Sequence, residues 1–407
     1  MSGEPTRSEL LPPQSGTQPV HLREIAVLFL KLGATSFGGP ASHIAMMEPE
    51  VVGKRQWLTR QQFLDLLGGV NLIPGPSSTQ LAISVGFTRA GWPGLCVAGA
   101  SFILPAALIT GVFAWAYVRF GTLPRAELAL AGIKAAVIAV IGLAIFRLAR
   151  TAVRDLGLAV LGGLALTAFF LNANPIAILF GGGLVGMLAR RARAVWMDGS
   201  ALLSCAASGP IRATSFKSSL AMIAALSAVA GAEARPSLMR IGVFFLKVGA
   251  LLYGGGYVLL AFLDQGLVKQ NGWLTHQQLL DAVAIGQFTP GPVLSTATFI
   301  GYILGGVPGA AVATVAIFLP SFFYVALLTP VLFRLRQSKW MGAFLDSVNV
   351  CAVALMAGVT FRLGVDALRD WRTCVIASAA LAVLLQWKVN PAWVVVGAGL
   401  IGIVFLR

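Results

Sequence analysis

The sequence predicts an all-α polytopic membrane protein made of two homologous halves, each with about six apolar segments and one helix broken at Pro-Gly-Pro, for ten to thirteen spans in all. Three observations predict it. Over 407 residues the chain is 57% hydrophobic and 11% charged with a mean hydropathy of +0.84, too apolar for a water-soluble domain. Apolar runs of membrane-spanning length recur throughout, without the polar alternation of a barrel strand, so the spans are helices. The second half repeats the first. Phe29-Leu30-Lys31-Leu32-Gly33-Ala34 returns as Phe245-Leu246-Lys247-Val248-Gly249-Ala250, and Trp57-Leu58-Thr59 and Pro74-Gly75-Pro76 return at the same offset as Trp273-Leu274-Thr275 and Pro290-Gly291-Pro292.

In chain order, residues 1–21 are rich in Pro, Ser, Gln and Glu and read as a disordered tail, lacking the basic start and apolar run of a cleavable signal. The first repeat, 22–189, has apolar segments near 23–47, 63–87, 93–118, 128–149, 156–171 and 175–189. A basic linker, 190–236, carries one short apolar run at 220–232 and is expected in the cytoplasm from its charge. The second repeat, 237–407, restates the six segments, with Leu104-Pro105 falling on Leu319-Pro320 and Asn174-Pro175 on Asn390-Pro391.

The formal charge of +15 sits mostly in short loops between apolar runs, which is the positive-inside pattern of a membrane protein and not the compact basic face of a nucleic-acid binder. The same charge favours an anionic solute. Four scattered cysteines and three histidines, His21, His43 and His276, form no metal-ligand spacing, so neither metal nor cofactor is expected. Tryptophans cluster near segment ends as an interfacial belt.

Proline removes a backbone donor and pushes the preceding residue out of helical geometry, so each Pro-Gly-Pro splits its segment into two half-helices. A half-helix that starts inside the membrane offers unpaired N–H groups and a partial positive charge to an anion. The candidate substrate site is therefore Pro74, Gly75, Pro76, Ser78, Thr79 and Gln80 with Pro290, Gly291, Pro292, Ser295 and Thr296. Lys31 and Lys247 lie in the first apolar segment of each half, where an ionised lysine costs roughly 2.5 to 3.5 kcal/mol. They either face the interior against an anion or snorkel to the headgroups. The glycine pairs Gly38-Gly39 and Gly254-Gly255 follow them and allow close packing or an unwound backbone. Glu48 aligns with Asp264 and Asp65 with Asp281. These acids are coupling candidates if they face a cavity. Against that, Thr59 with Gln62 and Thr275 with Gln278 form a capping box that sets Asp65 and Asp281 in the first turns of helices starting at the surface.

Orientation of the halves depends on the breaks. A re-entrant break leaves five crossings per half and inserts the halves oppositely; a break that goes through gives six and keeps them parallel unless the linker run also spans. The re-entrant reading gathers Lys54, Arg55, Arg60, Arg89, Arg147, Arg150, Arg154 and the linker arginines on one face, leaving Arg7, Arg23, Arg119 and Arg125 opposite, and so favours inverted repeats, although the second half is nearly balanced.

Phe-Leu-Lys-Leu-Gly, then Phe37-Gly38-Gly39-Pro40, Trp57-Leu58-Thr59 and Pro74-Gly75-Pro76, repeated in a second half, resemble the bacterial chromate ion transporter family in its two-domain form, over nearly the full length. The resemblance implies a protein of the bacterial cytoplasmic membrane that expels chromate, a tetrahedral dianion resembling sulfate, driven by membrane potential or a proton gradient, and so confers chromate resistance. The second copy departs from the first in having Gly256 for Pro40 and Leu259 for His43. The residues by themselves reach an anion transporter, with sulfate or another anion equally served. The expected partners are such an oxyanion and the lipid bilayer; a homodimer is compatible with the sequence, and nucleic acid is not expected. No Gly-x-x-x-x-Gly-Lys-Ser/Thr loop supports an ATP-driven pump, and no nucleophile or dinucleotide motif supports the competing class, a membrane-embedded enzyme such as a chromate reductase.

Overall fold

A computed structural model describes residues 22–37, 39–71, 73–121, 123–197, 236–253, 259–328, 339–387 and 389–406. Among them are fourteen α-helices and no strand. In the first half these are α1 (Leu22–Thr35), α2 (Pro40–Glu48, continued by a π-helical turn Pro49–Lys54), α3 (Arg60–Val70), α4 (Ser77–Phe120), α5 (Pro124–Ala152), α6 (Leu156–Phe170) and α7 (Pro175–Met197). The second half restates them as α8 (Leu238–Leu251), α9 (Leu259–Leu263, continued by a π-helical turn Asp264–Gln270), α10 (His276–Phe288), α11 (Thr296–Leu328, entered through a 3-10 turn Val293–Ser295), α12 (Lys339–Ala367), α13 (Trp371–Gln386) and α14 (Pro391–Phe405). Helices α4, α5, α11 and α12 are long and apolar enough to cross a membrane, and α6, α7, α13 and α14 are shorter apolar helices. The protein is a multi-pass membrane protein.

The Pro-Gly-Pro breaks turn back. Thr59 and Thr275 cap α3 and α10 with the complete capping box expected from sequence. Beyond the break, Phe63, Leu66 and Val70 of α3 share one core with Leu81, Ala82 and Val85 of α4, and a Cβ on Gly286 of α10 would collide with the Thr296 hydroxyl at the start of α11. Each pair is thus a re-entrant hairpin. A second reversal follows at once. Ala90 and Gly91 leave helical geometry, with Gly91 at φ +59°, and Gly86 comes into backbone contact with Gly94. A continuous helix would hold those two about 12 Å apart, so the arm 77–89 and the arm 92–120 of α4 lie antiparallel. Gly305 and Gly306, with Gly301 against Gly309, do the same in α11.

The first apolar segment of each half is also broken, although its hydropathy predicts one continuous segment over residues 23–47. The helix instead stops at Thr35 and restarts at Pro40 behind Gly39, whose φ of +80° suits glycine, and the π-helical turn comes back alongside α1 so that Lys31 meets Glu50 at 3.5 Å. Each half therefore has two re-entrant pairs.

The halves are inverted. α6 begins beside the end of α7, where Arg190 reaches Asp155 at 3.5 Å, so α5 and α7 run the same way. Gly182 of α7 packs on Cys351 of α12 and Gly186 on Ser347, an antiparallel register. Since α12 is the counterpart of α5, counterparts run oppositely. Gly132 against Ala398 and Leu128 against Gly402 repeat the relation between α5 and α14. α7 thus ends on one face and α8 begins on the other, so the connection between them joins the two faces. The expected cytoplasmic linker and its apolar run fall almost wholly outside the described residues.

Candidate functional site

Each break is held by the opposite half. Gly75 N–H donates to the Leu252 carbonyl at 2.6 Å, and Gly291 N–H donates to the Ser36 carbonyl at 2.8 Å. Ser36 and Leu252 are equivalent residues at the broken ends of α1 and α8, so the two bonds are related by the pseudo-two-fold of the repeat. Each Pro-Gly-Pro loop also sits beside the residue that follows a proline within a helix of the opposite half: Gly75 by Ser321, next to Pro320, and Gly291 by Ala106, next to Pro105. Gly75 has φ +131° and Gly291 φ +89°, conformations that L side chains rarely adopt, and neither position has room for a Cβ.

Not every expected donor is free to meet a ligand. The Gln80 amide donates to the Pro74 carbonyl at 2.6 Å and closes the loop on itself, the Thr296 hydroxyl donates to the Val293 carbonyl at 2.8 Å, and Ser78 lies 3.1 Å from His43 Nδ1. Thr79 and Ser295 are different. Their hydroxyls are buried without a hydrogen-bond partner, as are those of Ser36, Ser84 and Ser321 and the Gln80 carbonyl oxygen. Buried polar atoms left unpaired are costly unless something occupies them. The arm of α4 beginning at Ser77 has Pro76 at its N-cap and no side chain capping it, which leaves its first N–H groups without a side-chain partner.

The lysines do not converge on this centre. Lys31 lies off the buried stripe Ile25, Leu28, Phe29, Leu32; its side chain is 62% exposed, and it lines a surface groove with Arg23, Glu24, Val27, Glu50, Lys54 and Arg55. Hydrogen bonds from Lys54 and Arg55, together with the nearby Lys31 charge, hold the Glu50 carboxyl down at about 2. Lys247 is half-buried on α8. Of the glycine pairs, Gly39 starts α2, while Gly38, Gly254 and Gly255 lie outside the described residues.

The acids divide in an instructive way. Glu48 meets Arg60 at 3.4 Å, and its counterpart Asp264 meets His276, the counterpart of Arg60, at 3.2 Å and Lys269 at 3.4 Å. These pairs tie one re-entrant hairpin to the next. Asp65 stays half-buried near the surface and accepts from the Gln61 amide at 3.2 Å. Asp281 is buried, 3.0 Å from Lys134 of α5, and accepts the Tyr117 hydroxyl of α4 at 2.8 Å. Lys134 is the only buried lysine or arginine among the described residues. Sequence reasoning passed over it, although a lysine well inside the apolar run 128–149 is itself a signal. Its role could not be read because the repeat supplies no matching pair: the partner carboxylate belongs to the other half.

The arrangement is a set of re-entrant helix ends from two inverted repeats, each break held by the opposite repeat and followed by buried unpaired hydroxyls. The family model described as chromate transporter matches residues 23–187 and 239–403, one match for each repeat. The chain is 34% identical to the chromate transport protein of Cupriavidus metallidurans over 95% of this chain and 94% of the relative. It is 32% identical to the chromate transport protein of Pseudomonas aeruginosa over 97% and 94%, and 31% identical to a probable chromate transport protein of Synechococcus elongatus over 94% and 95%. No solved structure matches. With both repeats matched and the relatives covered almost end to end, the chain belongs to the chromate transporter family.

Proposed function

We propose that the protein is a secondary transporter that exports chromate across the bacterial cytoplasmic membrane, driven by membrane potential or a proton gradient. The observation that carries this reading is the reciprocal pair of bonds, Gly75 to Leu252 and Gly291 to Ser36, by which each half holds the other's break, with the Thr79 and Ser295 hydroxyls that follow the breaks buried and unpartnered. Inverted repeats of this kind carry solute at the repeat interface, where half-helix N-termini face an anionic group. The site assigned to substrate is the pair of Pro-Gly-Pro loops with the first turns that follow them. Chromate is supported by the names of the relatives; the hydroxyls and N–H groups would serve sulfate by the same chemistry.

The face bearing Arg23, Lys54, Arg55, Arg60, Arg89, Arg147, Arg150, Arg154 and Arg190 is richer in described cations than the opposite face, which carries Arg119, Arg125, Arg240, Lys269, Arg362, Arg369 and Arg372, so we assign it to the cytoplasm. The groove of Lys31 with Arg23, Lys54 and Arg55 then lies on the side from which an exported dianion arrives, and serves as an electrostatic funnel. In everted membrane vesicles containing the protein, radiolabelled chromate is expected to accumulate on energisation and to remain hexavalent. Energised vesicles that take up no chromate, or that reduce it instead, would refute the proposal.

A further inference from the structure

At the first break a single buried histidine connects the two ends of the candidate site. His43 is 1% exposed and Ser78 2%. Nε2 of the ring lies 3.2 Å from the Ser36 carbonyl, which only accepts, so Nε2 carries the hydrogen. Nδ1, 3.1 Å from Ser78 Oγ, is then the acceptor of a neutral ring, and the Ser78 hydroxyl donates to it. The groups facing the ring are that carbonyl, that hydroxyl and Phe102, edge-on at 5.6 Å; no charged side chain of α1, α2 or α4 among the described residues acts on it. A charged ring in such a place needs a counter-charge. The Ser36 carbonyl also accepts from Gly291, so the ring's anchor is shared by both breaks.

We propose that His43 couples a proton to the transported oxyanion, protonation of Nδ1 and binding of the dianion at the start of α4 each favouring the other. The inference rests on the substrate site proposed above. Ser78 has one hydrogen to give. While His43 is neutral that hydrogen is spent on Nδ1, and Ser78 turns only lone pairs to the end of the helix. When Nδ1 takes a proton from water it becomes a donor, Ser78 accepts from it, and the hydroxyl hydrogen is released to the oxyanion. Nε2 keeps its bond to Ser36 throughout, one proton enters, and no covalent bond of protein or anion changes. The dianion supplies the counter-charge that the buried imidazolium lacks, so the proton leaves with the anion, and the export proposed above is then driven by the membrane potential acting on the net negative charge. In the second half Leu259 stands at the equivalent position, so the device occurs once per chain and the fold accepts an apolar side chain there. His43 is a positioning residue for Ser78 and the carrier of the linked proton.

The test is calorimetric titration of the purified full-length protein with chromate, and with sulfate as a dianion that does not titrate near neutrality, in buffers of different ionisation enthalpy. The wild type is expected to take up about one proton per bound dianion and to lose affinity about tenfold per pH unit above the titration of the ring. His43→Leu, matched to the other half, is expected to bind more weakly, without proton uptake and with affinity independent of pH. Ser78→Ala keeps the ring but removes the relay, and linked uptake is expected to fall. Thermal unfolding and monodispersity establish that each variant is folded. Wild-type uptake persisting in either folded variant overturns the inference while leaving the substrate site standing. A folded wild-type protein that binds neither dianion overturns the substrate site and the inference together.

Discussion

Gly75 and Gly291 are the residues on which the centre depends, because each is held in a backbone conformation that disfavours a side chain and each donates across the pseudo-two-fold. Gly75→Ala and Gly291→Ala are each expected to cost about 1–3 kcal/mol from backbone strain alone, with collisions adding to it. The readout is a lowered unfolding temperature of the solubilised protein together with lost chromate transport; a variant that transports and melts like wild type would remove these glycines from the site. Lys134 and Asp281 make a different kind of prediction. Removing one partner leaves a buried charge unpaired, so Lys134→Ala is expected to destabilise by about 3–5 kcal/mol, and Lys134→Met with Asp281→Leu to recover most of that loss. Thermal unfolding of the single and double variants measures it, and an additive double variant would show that the pair is not coupled. Of these residues the glycines were legible, since glycine between two prolines at a break has few other readings. The Lys134 to Asp281 pair was not, because its members lie far apart in sequence and in different repeats.

At the scale of elements, the device repeated throughout is the helix that enters the membrane and returns. Proline ends α3 and α10, and glycine allows the next reversal, at Gly91 in α4 and Gly306 in α11. Gly86 against Gly94 and Gly301 against Gly309 let the two arms touch backbone to backbone. Gly94→Leu is expected to pry the arms apart and abolish transport, with protease sensitivity near 90 rising, whereas Gly111→Ala, where a Cβ meets open space, is expected to leave both unchanged. If Gly94→Leu behaves like Gly111→Ala, the close approach of the arms is wrong. The Pro-Gly-Pro breaks could be read from the residues because two prolines leave a helix no continuous path. The break between α1 and α2 could not, since Ser36 to Pro40 offers one proline that serves equally as a first helical residue.

For the whole molecule, inversion of the repeats has a consequence at the linker: its two ends are expected on opposite sides of the membrane. Single cysteines in place of Arg193 and Ser237, in a background lacking native cysteines, should be labelled by an impermeant maleimide from opposite sides of oriented vesicles. Labelling of both from one side would contradict the inverted arrangement. The sequence by itself determined the class of the protein, its duplication and the place of the central breaks, because hydropathy, proline geometry and a repeated register are local properties of the chain. The cation distribution along the chain leaned towards inversion but was nearly balanced in the second half. Only the tertiary structure decided the direction of each half, the turning back of the first segment, and the choice of Asp281 over Asp65 as the buried carboxylate. Those outcomes depend on which helix of one repeat lies against which helix of the other. The matching Leu64-Asp65 and Leu280-Asp281 cannot encode that difference until Lys134 and Tyr117 on one side, with no equivalent on the other, are brought against Asp281.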